Sequence, residues 1–283
     1  MITISQKSCN GCGLCVKICH EHCMTLEEGK VQIDYKVCSL CCQCIAVCPT
    51  SAVEWNEEKP IPFNKNNLPS PEQIDELFME RRTIRLFKKE TVDRKLINEI
   101  INLGNYAPSH SPTFRSIAVD DMMILNMVDQ EVYHYNRKIY KYLFRPKIIK
   151  WLATRLGGVY QAEFNKARTK LENSMKNGCA YLNRPPVFIF VVGDKRIPLM
   201  TESAQYVLYN MMLAAQVRRL GCRNLVGNQM FLTRNKKIRC VLGLAKHERI
   251  FGLMGIGYSA IKFSNKVIGK KMPIQWIESN NFT

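Results

Sequence analysis

The sequence predicts an α+β chain of two units: a small cysteine-rich unit over residues 1–58 and a larger mixed domain over 72–283, joined by a linker at 59–71. Three observations predict it. Ten of the thirteen cysteines crowd between Cys9 and Cys48. Charge divides near the same place: residues 1–58 hold four Lys, no Arg and seven acids, a net of −3 in a chain of +17, which leaves +20 on the remainder. Beyond the linker, helical and extended periodicities interleave, with too few regular β-α alternations for a doubly wound sheet. A length of 283 residues suffices for one large domain and one small one.

The cysteines come first. Cys9, Cys12, Cys15 and Cys19 form one CxxCxxCxxxC run, and Cys38, Cys41, Cys44 and Cys48 form a second, with Pro49 directly after it. The runs begin 29 residues apart, as a tandem repeat would. This spacing holds two 4Fe–4S clusters, with the fourth Cys of each run crossing to the other cluster. Cluster one then takes Cys9, Cys12, Cys15 and Cys48, and cluster two takes Cys38, Cys41, Cys44 and Cys19. A zinc site or a set of core thiols are the bland alternatives, but zinc needs four ligands, not two complete four-Cys runs. Gly11 and Gly13 let the backbone pass close to a cube. Cys23 and Cys42 read as small buried side chains, because all eight ligand positions are filled. Cys179, Cys222 and Cys240 are isolated and read as core. The segment resembles the bacterial-type two-cluster ferredoxin family over all of 1–58. It departs at His20, where the family has Pro after the fourth Cys.

Short strands are expected at Lys30–Asp34 and Ala52–Trp55 from alternating apolar residues. The Pro- and Asn-rich linker ends at Ser70, an N-cap followed by Pro71 and Gln73 in an S-x-x-Q capping box, so a helix starts there. It gives way at Glu80–Phe87. A second helix runs from about Asp93 to Leu103, closed by Gly104, and Asn105–Pro112 is a loop. Over 130–184, helices are expected to break at Pro146 and at Gly157-Gly158. Val187–Val192 is a buried strand, Thr201–Arg219 the strongest helix, 234–242 another helix and 250–257 a strand. Met272–Ile277 alternates like a last strand.

Taken as extended chain, Arg81, Thr83, Arg85 and Phe87 share one side, and two guanidiniums flanking a hydroxyl suit a phosphate dianion. A solvated basic helix end is the alternative. The segment E-R-R-T-I-R-L-F is similar to the R-R-S-x-R-x-F signature that opens the FMN-dependent nitroreductase family. An A-P-S loop (Ala107 to Ser109), the P-V-F-I-F-V-V strand, the N-M-M-L-A-A-Q helix (Asn210 to Gln216), L-G-C (Leu220 to Cys222) and K-K-M-P (Lys270 to Pro273) follow in the family's order. The resemblance spans roughly 72–283 and implies a nitroreductase-like α+β domain, a central mixed sheet flanked by helices. It implies that Arg81, Arg82, Thr83 and Arg85 hold the FMN phosphate, that Lys270 and Lys271 approach it from the C-terminal segment, and that Val226 and Gly227 form the turn facing flavin N5. It also implies an intertwined homodimer. In the loop, Pro112 (or, shifted by one, Thr113), Phe114 and Ser116 replace the family's Asn, Gln and Trp, and Arg115 is the added charge. His110 is either a proton donor to substrate or a loop residue making local hydrogen bonds.

Together these readings predict an iron–sulfur flavoenzyme. A low-potential donor of ferredoxin or flavodoxin type would reduce two 4Fe–4S clusters, which pass electrons to FMN and on to an oxidised small-molecule acceptor such as a nitro compound. The alternatives are reduction of a C=C, quinone or carbon–halogen bond, or a non-catalytic electron relay that docks a partner or membrane. No catalytic side chain is assigned. The thiol-rich chain fits a reducing cytoplasm; no secretory signal and no apolar run long enough to span a membrane is visible. No nucleic-acid module is recognisable, so no such partner is expected. Between Glu131 and Glu163 there is no acid but seven Arg or Lys, interleaved with aromatics. The stretch 135–155 is a lid, a docking face for an acidic donor, a membrane-surface contact or a plain solvated face.

Overall fold

A computed structural model of the chain describes residues 1–108, 114–156, 158–268 and 272–277. The expectations for Ser109, His110, Pro112, Thr113, Gly157, Lys270 and Lys271 lie outside the described residues.

The first unit contains β1 (Ile2–Ile4), α1 (Leu14–Ile18), β2 (Met24–Glu27), β3 (Lys30–Ile33), α2 (Gln43–Val47) and β4 (Val53–Trp55). β1 pairs antiparallel with β4, and β2 with β3. The 29-residue offset of the cysteines runs through the backbone: it carries α1 onto α2 and β2 onto β4. It also carries Ile2, Cys15 and Met24 onto Val31, Cys44 and Val53, and all six are buried in one core. Left-handed residues recur at the same offset, as Gly11 and Leu40, Gly13 and Cys42, His22 and Ser51, Glu28 and Glu57. Gly11 has a packing reason as well, since a Cβ there would lie 2.7 Å from the carbonyl oxygen of Gly29. In the second repeat Leu40 and Cys42 take the same conformation with side chains attached, which costs about 1–2 kcal/mol per residue. Cys42 is therefore not the core filler expected. It is half-buried at the left-handed residue that starts α2.

The larger domain begins with α3 (Pro71–Glu80). Ser70 and Gln73 close both bonds of the capping box. α4 (Arg94–Gly104) follows, capped by Asp93. Then come β5 (Arg115–Val119), α5 (Met122–Ile139), a π turn over Tyr140–Phe144, α6 (Lys147–Leu156), α7 (Gly158–Asn177), β6 (Val187–Asp194), α8 (Met200–Val217), β7 (Gly221–Asn224), α9 (Gln229–Arg234), α10 (Lys236–Val241) and β8 (Glu248–Gly257). Pro146 does separate two helical pieces, because it cannot donate to the turn before it. β5 is too short and mixed to register as a strand in the sequence, yet it pairs with β6 over its whole length.

The sheet order is β5-β6-β8-β7, and every ladder in it is antiparallel. Among the described residues, therefore, the parallel part of the expected mixed sheet is one bridge, Thr83 to Cys222, and not a strand ladder. β6 sits inside and is buried from Val187 to Gly193. Its residues 187, 189 and 191 pack with α4 and α8, and 188, 190 and 192 pack with α5, α9 and α10. This double burial is why Val187–Val192 reads as an unbroken apolar run. Met272–Ile277 is not the strand its alternation suggested. It has no regular structure and is exposed, with Trp276 at 85%, and among the described residues no strand pairs with it. No helix among the described residues is long and apolar enough to cross a membrane.

Cys42→Gly should raise the stability of the first unit by about 1 kcal/mol, because glycine adopts the left-handed conformation without the Cβ clash. Chemical denaturation of the full chain checks this. A neutral or destabilising result would mean that the half-buried thiol contributes more than the strain costs.

Candidate functional site

Cys9, Cys12, Cys15 and Cys48 line one cavity in the first unit, bordered by Ile4, Val31 and Val53. Cys19, Cys38, Cys41 and Cys44 line a second, bordered by Ile2, Met24 and Ile33. In each cavity the fourth cysteine of one run lies with the first three of the other. All thirteen cysteines are free thiols. Among the described residues no three His, Cys, Asp or Glu side chains close on a point suited to a single metal ion; the thiols border a space. Burial pushes the Cys15 thiol up and takes Cys44 to about 12. Burial also raises Cys48, but hydrogen bonds from Thr50 and from the backbone N–H groups of Val53, Ala52 and Thr50 outweigh it and bring this thiol below its ordinary value. Cys23 lines the second cavity too, with its Sγ 3.3 Å from that of Cys19. Burial first, then the neighbouring Cys19 and Cys38 thiols, take it to about 12. The 29-residue offset puts Ala52 at the corresponding place in the other repeat.

The arginine segment is set on the sheet edge. Gln216 of α8 donates to the Leu77 carbonyl (3.3 Å) and to Glu80 (3.2 Å), which fixes the end of α3. Arg82 turns back on that helix end and donates to the Met79 and Arg81 carbonyls at 2.5 and 2.8 Å. Thr83 then forms the parallel bridge with Cys222, and the Ile84 N–H donates to the Cys222 carbonyl at 2.9 Å. Gly221 permits this approach, because a Cβ there would lie 2.3 Å from Ile84 Cγ1. Three residues on, Phe87 pairs antiparallel with Ser259. Between these two pairings the chain bends. Ile84 and Phe87 are buried while Thr83 and Arg85 are exposed, so Phe87 does not share the arginine side as expected but packs inward.

A third guanidinium joins Arg81 and Arg85. Arg223 on β7 is half-buried; burial draws its pKa down, and the like charge of Arg85 adds to the effect. Burial takes the neighbouring Cys222 to about 12 against the opposing charge of Arg81. Among the described residues none of the three has a carboxylate partner. The cluster therefore carries uncompensated positive charge around an exposed hydroxyl, which suits a phosphate. Arg223 escaped the sequence reading because nothing in its neighbours signals that β7 lies beside residues 81–85.

β7 leads through Leu225 into a single turn, Val226–Asn228, that opens α9. Asn228 donates to the Tyr181 hydroxyl at 2.6 Å, and the Tyr181 N–H donates to the buried carboxylate of Asp129 at 2.8 Å. Burial raises Asp129 while the Tyr181 and Ala180 N–H groups oppose it, and burial raises the Tyr181 phenol. The turn carrying Val226 and Gly227 is thus tied to α5. On either side of it, Asn224 Oδ1 and Gln229 Oε1 are buried with no hydrogen-bond partner among the described residues. Buried acceptors of this kind are expensive unless something donates to them.

The unusual loop is used structurally where it is described. Phe114 packs edge-on against Phe251 in the core, with centroids 6.3 Å apart, and Ser116 pairs opposite Val191. Arg115 makes a two-pronged bond to Glu248 at 2.6 and 2.8 Å and also donates to the Gly243 carbonyl. In 135–155, Tyr135 stacks on Phe231 and Phe144 on Phe164, while Tyr142, Ile148 and Trp151 are exposed, the last under Arg155 at 4.3 Å. Of the isolated cysteines, Cys222 is buried, but Cys240 is exposed on α10 and so is not core.

Comparison with known proteins gives three findings. The sequence profile of the nitroreductase family matches residues 78–258. Human iodotyrosine deiodinase 1 is 25% identical over 226 residues, covering 73% of this chain and 72% of that protein. Two crystal structures share the fold. A Bacteroides fragilis nitroreductase with bound FMN has TM-score 0.53 at 17% identity, over 72% of this chain and 99% of that one. An oxidised iodotyrosine deiodinase bound to FMN and 3-iodo-L-tyrosine has TM-score 0.50 at 16% identity, over 72% and 99%.

Gly221→Ala should cost about 1–3 kcal/mol in urea unfolding, because its methyl displaces Ile84 and loosens the arginine segment; an unchanged midpoint would show that the segment is not held by this approach. Arg115 keeps Glu248 near 2, below its ordinary 4.5. The folded value is the lower one, so this stabilisation is present above about pH 4.5 and is lost as pH falls toward 2. Glu248→Gln should cost about 1 kcal/mol at neutral pH, discounted because Arg115 is 44% exposed. That gap to the parent protein should close in acid; a pH-independent gap would exclude the ion pair as its cause.

Proposed function

The chain belongs to the nitroreductase family, and from that premise we propose that it is an FMN-dependent oxidoreductase fed with electrons through two 4Fe–4S clusters and acting on an oxidised small-molecule acceptor. The observation that carries the reading is the gathering of Arg81, Arg85 and Arg223 around the Thr83–Cys222 bridge, without an acid partner among the described residues. When bound, FMN supplies two-electron hydride transfer and also takes electrons singly, and 4Fe–4S cubes supply single electrons. The residues have separate tasks. Arg81, Thr83, Arg85 and Arg223 hold the phosphate, and Arg82 keeps the helix end in place. The Val226–Gly227 turn, tied down through Asn228 and Tyr181, offers backbone N–H groups where reduced flavin gains charge. Asn224 and Gln229 bring acceptors for flavin N–H groups. The family resemblance extends the same phosphate-binding task to Lys270 and Lys271.

In the first unit, Cys9, Cys12, Cys15 and Cys48 hold one cluster, and Cys38, Cys41, Cys44 and Cys19 the other. The two thiol-lined cavities support this, as does the hydrogen bonding at Cys48, which favours its thiolate. A ferredoxin-type donor and a reducing cytoplasm suit such an input. A homodimer follows from the family, and the exposed apolar side chains of the C-terminal segment, Phe263, Ile268 and Trp276 among them, are the surface that a second copy would cover. The likeness to iodotyrosine deiodinase 1 favours a second reading of the acceptor, reductive cleavage of a carbon–halogen bond.

Anaerobically purified protein should carry about eight irons and one FMN per chain. Arg85→Ala should weaken FMN retention about tenfold or more with iron unchanged. Cys23→Ala should keep its iron, since Ala52 serves at the equivalent place. Protein reduced with dithionite and then mixed with nitroaromatics or halophenols shows by flavin reoxidation which acceptor class is used. Full iron without flavin, and no effect of Arg85→Ala, would sink the flavoenzyme reading; reoxidation by a protein partner alone would favour the relay.

A further inference from the structure

A second concentration of positive charge lies at the other end of the sheet. Lys195, Arg234, Arg239, Lys246 and Arg249 line a cavity of about 460 Å³ formed by the end of β6, α9, α10 and the start of β8. The one acid lining it, Glu248, is already engaged by Arg115 and by the Ala245 N–H. The cations are held in place by the fold. Arg239 donates to the carbonyls of Thr233, Ala245 and Glu248 at 3.1, 2.6 and 3.0 Å. The Lys195 ammonium donates to the Lys246 carbonyl at 3.2 Å, which brings two lysines together. Arg249 lies over the Phe251 ring at 5.3 Å. Among the described residues, Arg234, Lys246 and Arg249 have no carboxylate partner. Five cations in one concavity repel one another, and among the described residues no carboxylate beyond the already engaged Glu248 lines the cavity to offset that cost.

We propose that this cavity is an anion site for a small diphosphate-bearing ligand, either a nucleoside diphosphate or inorganic pyrophosphate. Its size suits a small molecule. Guanidinium forks mixed with ammonium groups are the donor set that phosphate oxygens recruit. Several cations from three separate segments call for a polyanion, because a single charge would leave most of them unmatched. The site is separate from the Arg81–Arg85 edge: seven residue steps along β8, about 24 Å of strand, lead from Arg249 to Ile256, the partner of Cys222. Its chemistry does not depend on which acceptor the enzyme reduces.

The test is calorimetric titration of pyrophosphate and of ADP into the full-length protein carrying its cofactors, at low salt. One equivalent of either should bind per chain. Arg234→Ala/Lys246→Ala, two exposed positions with no packing role, should weaken binding about tenfold or more. Lys170→Ala/Lys176→Ala removes the same charge from exposed sites on α7 and should leave binding unchanged. Tighter binding of ADP identifies a nucleotide ligand, tighter binding of pyrophosphate an inorganic one, and equal binding shows that the diphosphate alone is read. The proposal is overturned if neither probe binds at millimolar concentration, if the cavity variant binds as the parent does, or if the α7 control weakens equally. It is also overturned if Arg85→Ala abolishes binding, which would move the ligand to the flavin edge.

Discussion

Every side chain from Val187 to Val192 is withdrawn from water, alternately toward two different helical layers. Burying each is worth about 1.5–3 kcal/mol, and a slip of one residue would exchange the two faces. β6 must therefore lie inside the sheet, with α4 and α8 on one side and α5, α9 and α10 on the other. β8 pairs along its length, and β7 is left as the short outer strand. The remaining edge is finished by residues 83–88, which are not a regular strand but use backbone bonds to Cys222 and Tyr258. The candidate phosphate edge exists because β7 is short enough and Gly221 small enough for that segment to come in.

Charge follows the same geometry. Residues 59–283 carry +20 against −3 on the cysteine unit, and the cations of the large domain are not evenly spread. Arg81, Arg85 and Arg223 meet at one end of the β7–β8 pair, while Lys195, Arg234, Arg239, Lys246 and Arg249 meet at the other. Acids near the second group are already paired, as with Arg115 and Glu248 or Arg196 and Asp194. Backbone carbonyls hold Arg239 and Lys195 in the second group, and in the first Arg223 lies over the Tyr181 ring at 5.8 Å; neither group is held by counter-charges, an arrangement that an anionic ligand relieves.

The first unit works by duplication. Its two halves repeat at 29 residues in helices, strands, core positions and left-handed turns. The halves then differ in small ways around an otherwise shared plan. Glycines at 11 and 13 become Leu40 and Cys42, and Ala52 becomes Cys23. Among the described residues no hydrogen bond or ion pair joins this unit to the large domain, and the exposed linker is the covalent tie between them.

What could be read from the chain alone was whatever local spacing encodes. The cysteine runs, the S-x-x-Q cap at Ser70, the helix over 200–217 and the apolar run of β6 all depend on neighbours within a few residues, and all appear in the fold. The sign and position of the charge at Arg81–Arg85 was legible in the same way. Tertiary structure decided what depends on distant pairing. β5 is a strand only because β6 lies beside it, and Met272–Ile277 is not one because no strand among the described residues offers it hydrogen bonds. Phe87 turns inward because its partner is Ser259, and Arg115 is spent on Glu248, 133 residues away. Arg223, Asn224 and Gln229 join the site, and five cations become a cavity, only after the sheet has brought separate segments together. Periodicity records which face of an element is apolar; it does not record which element that face will meet.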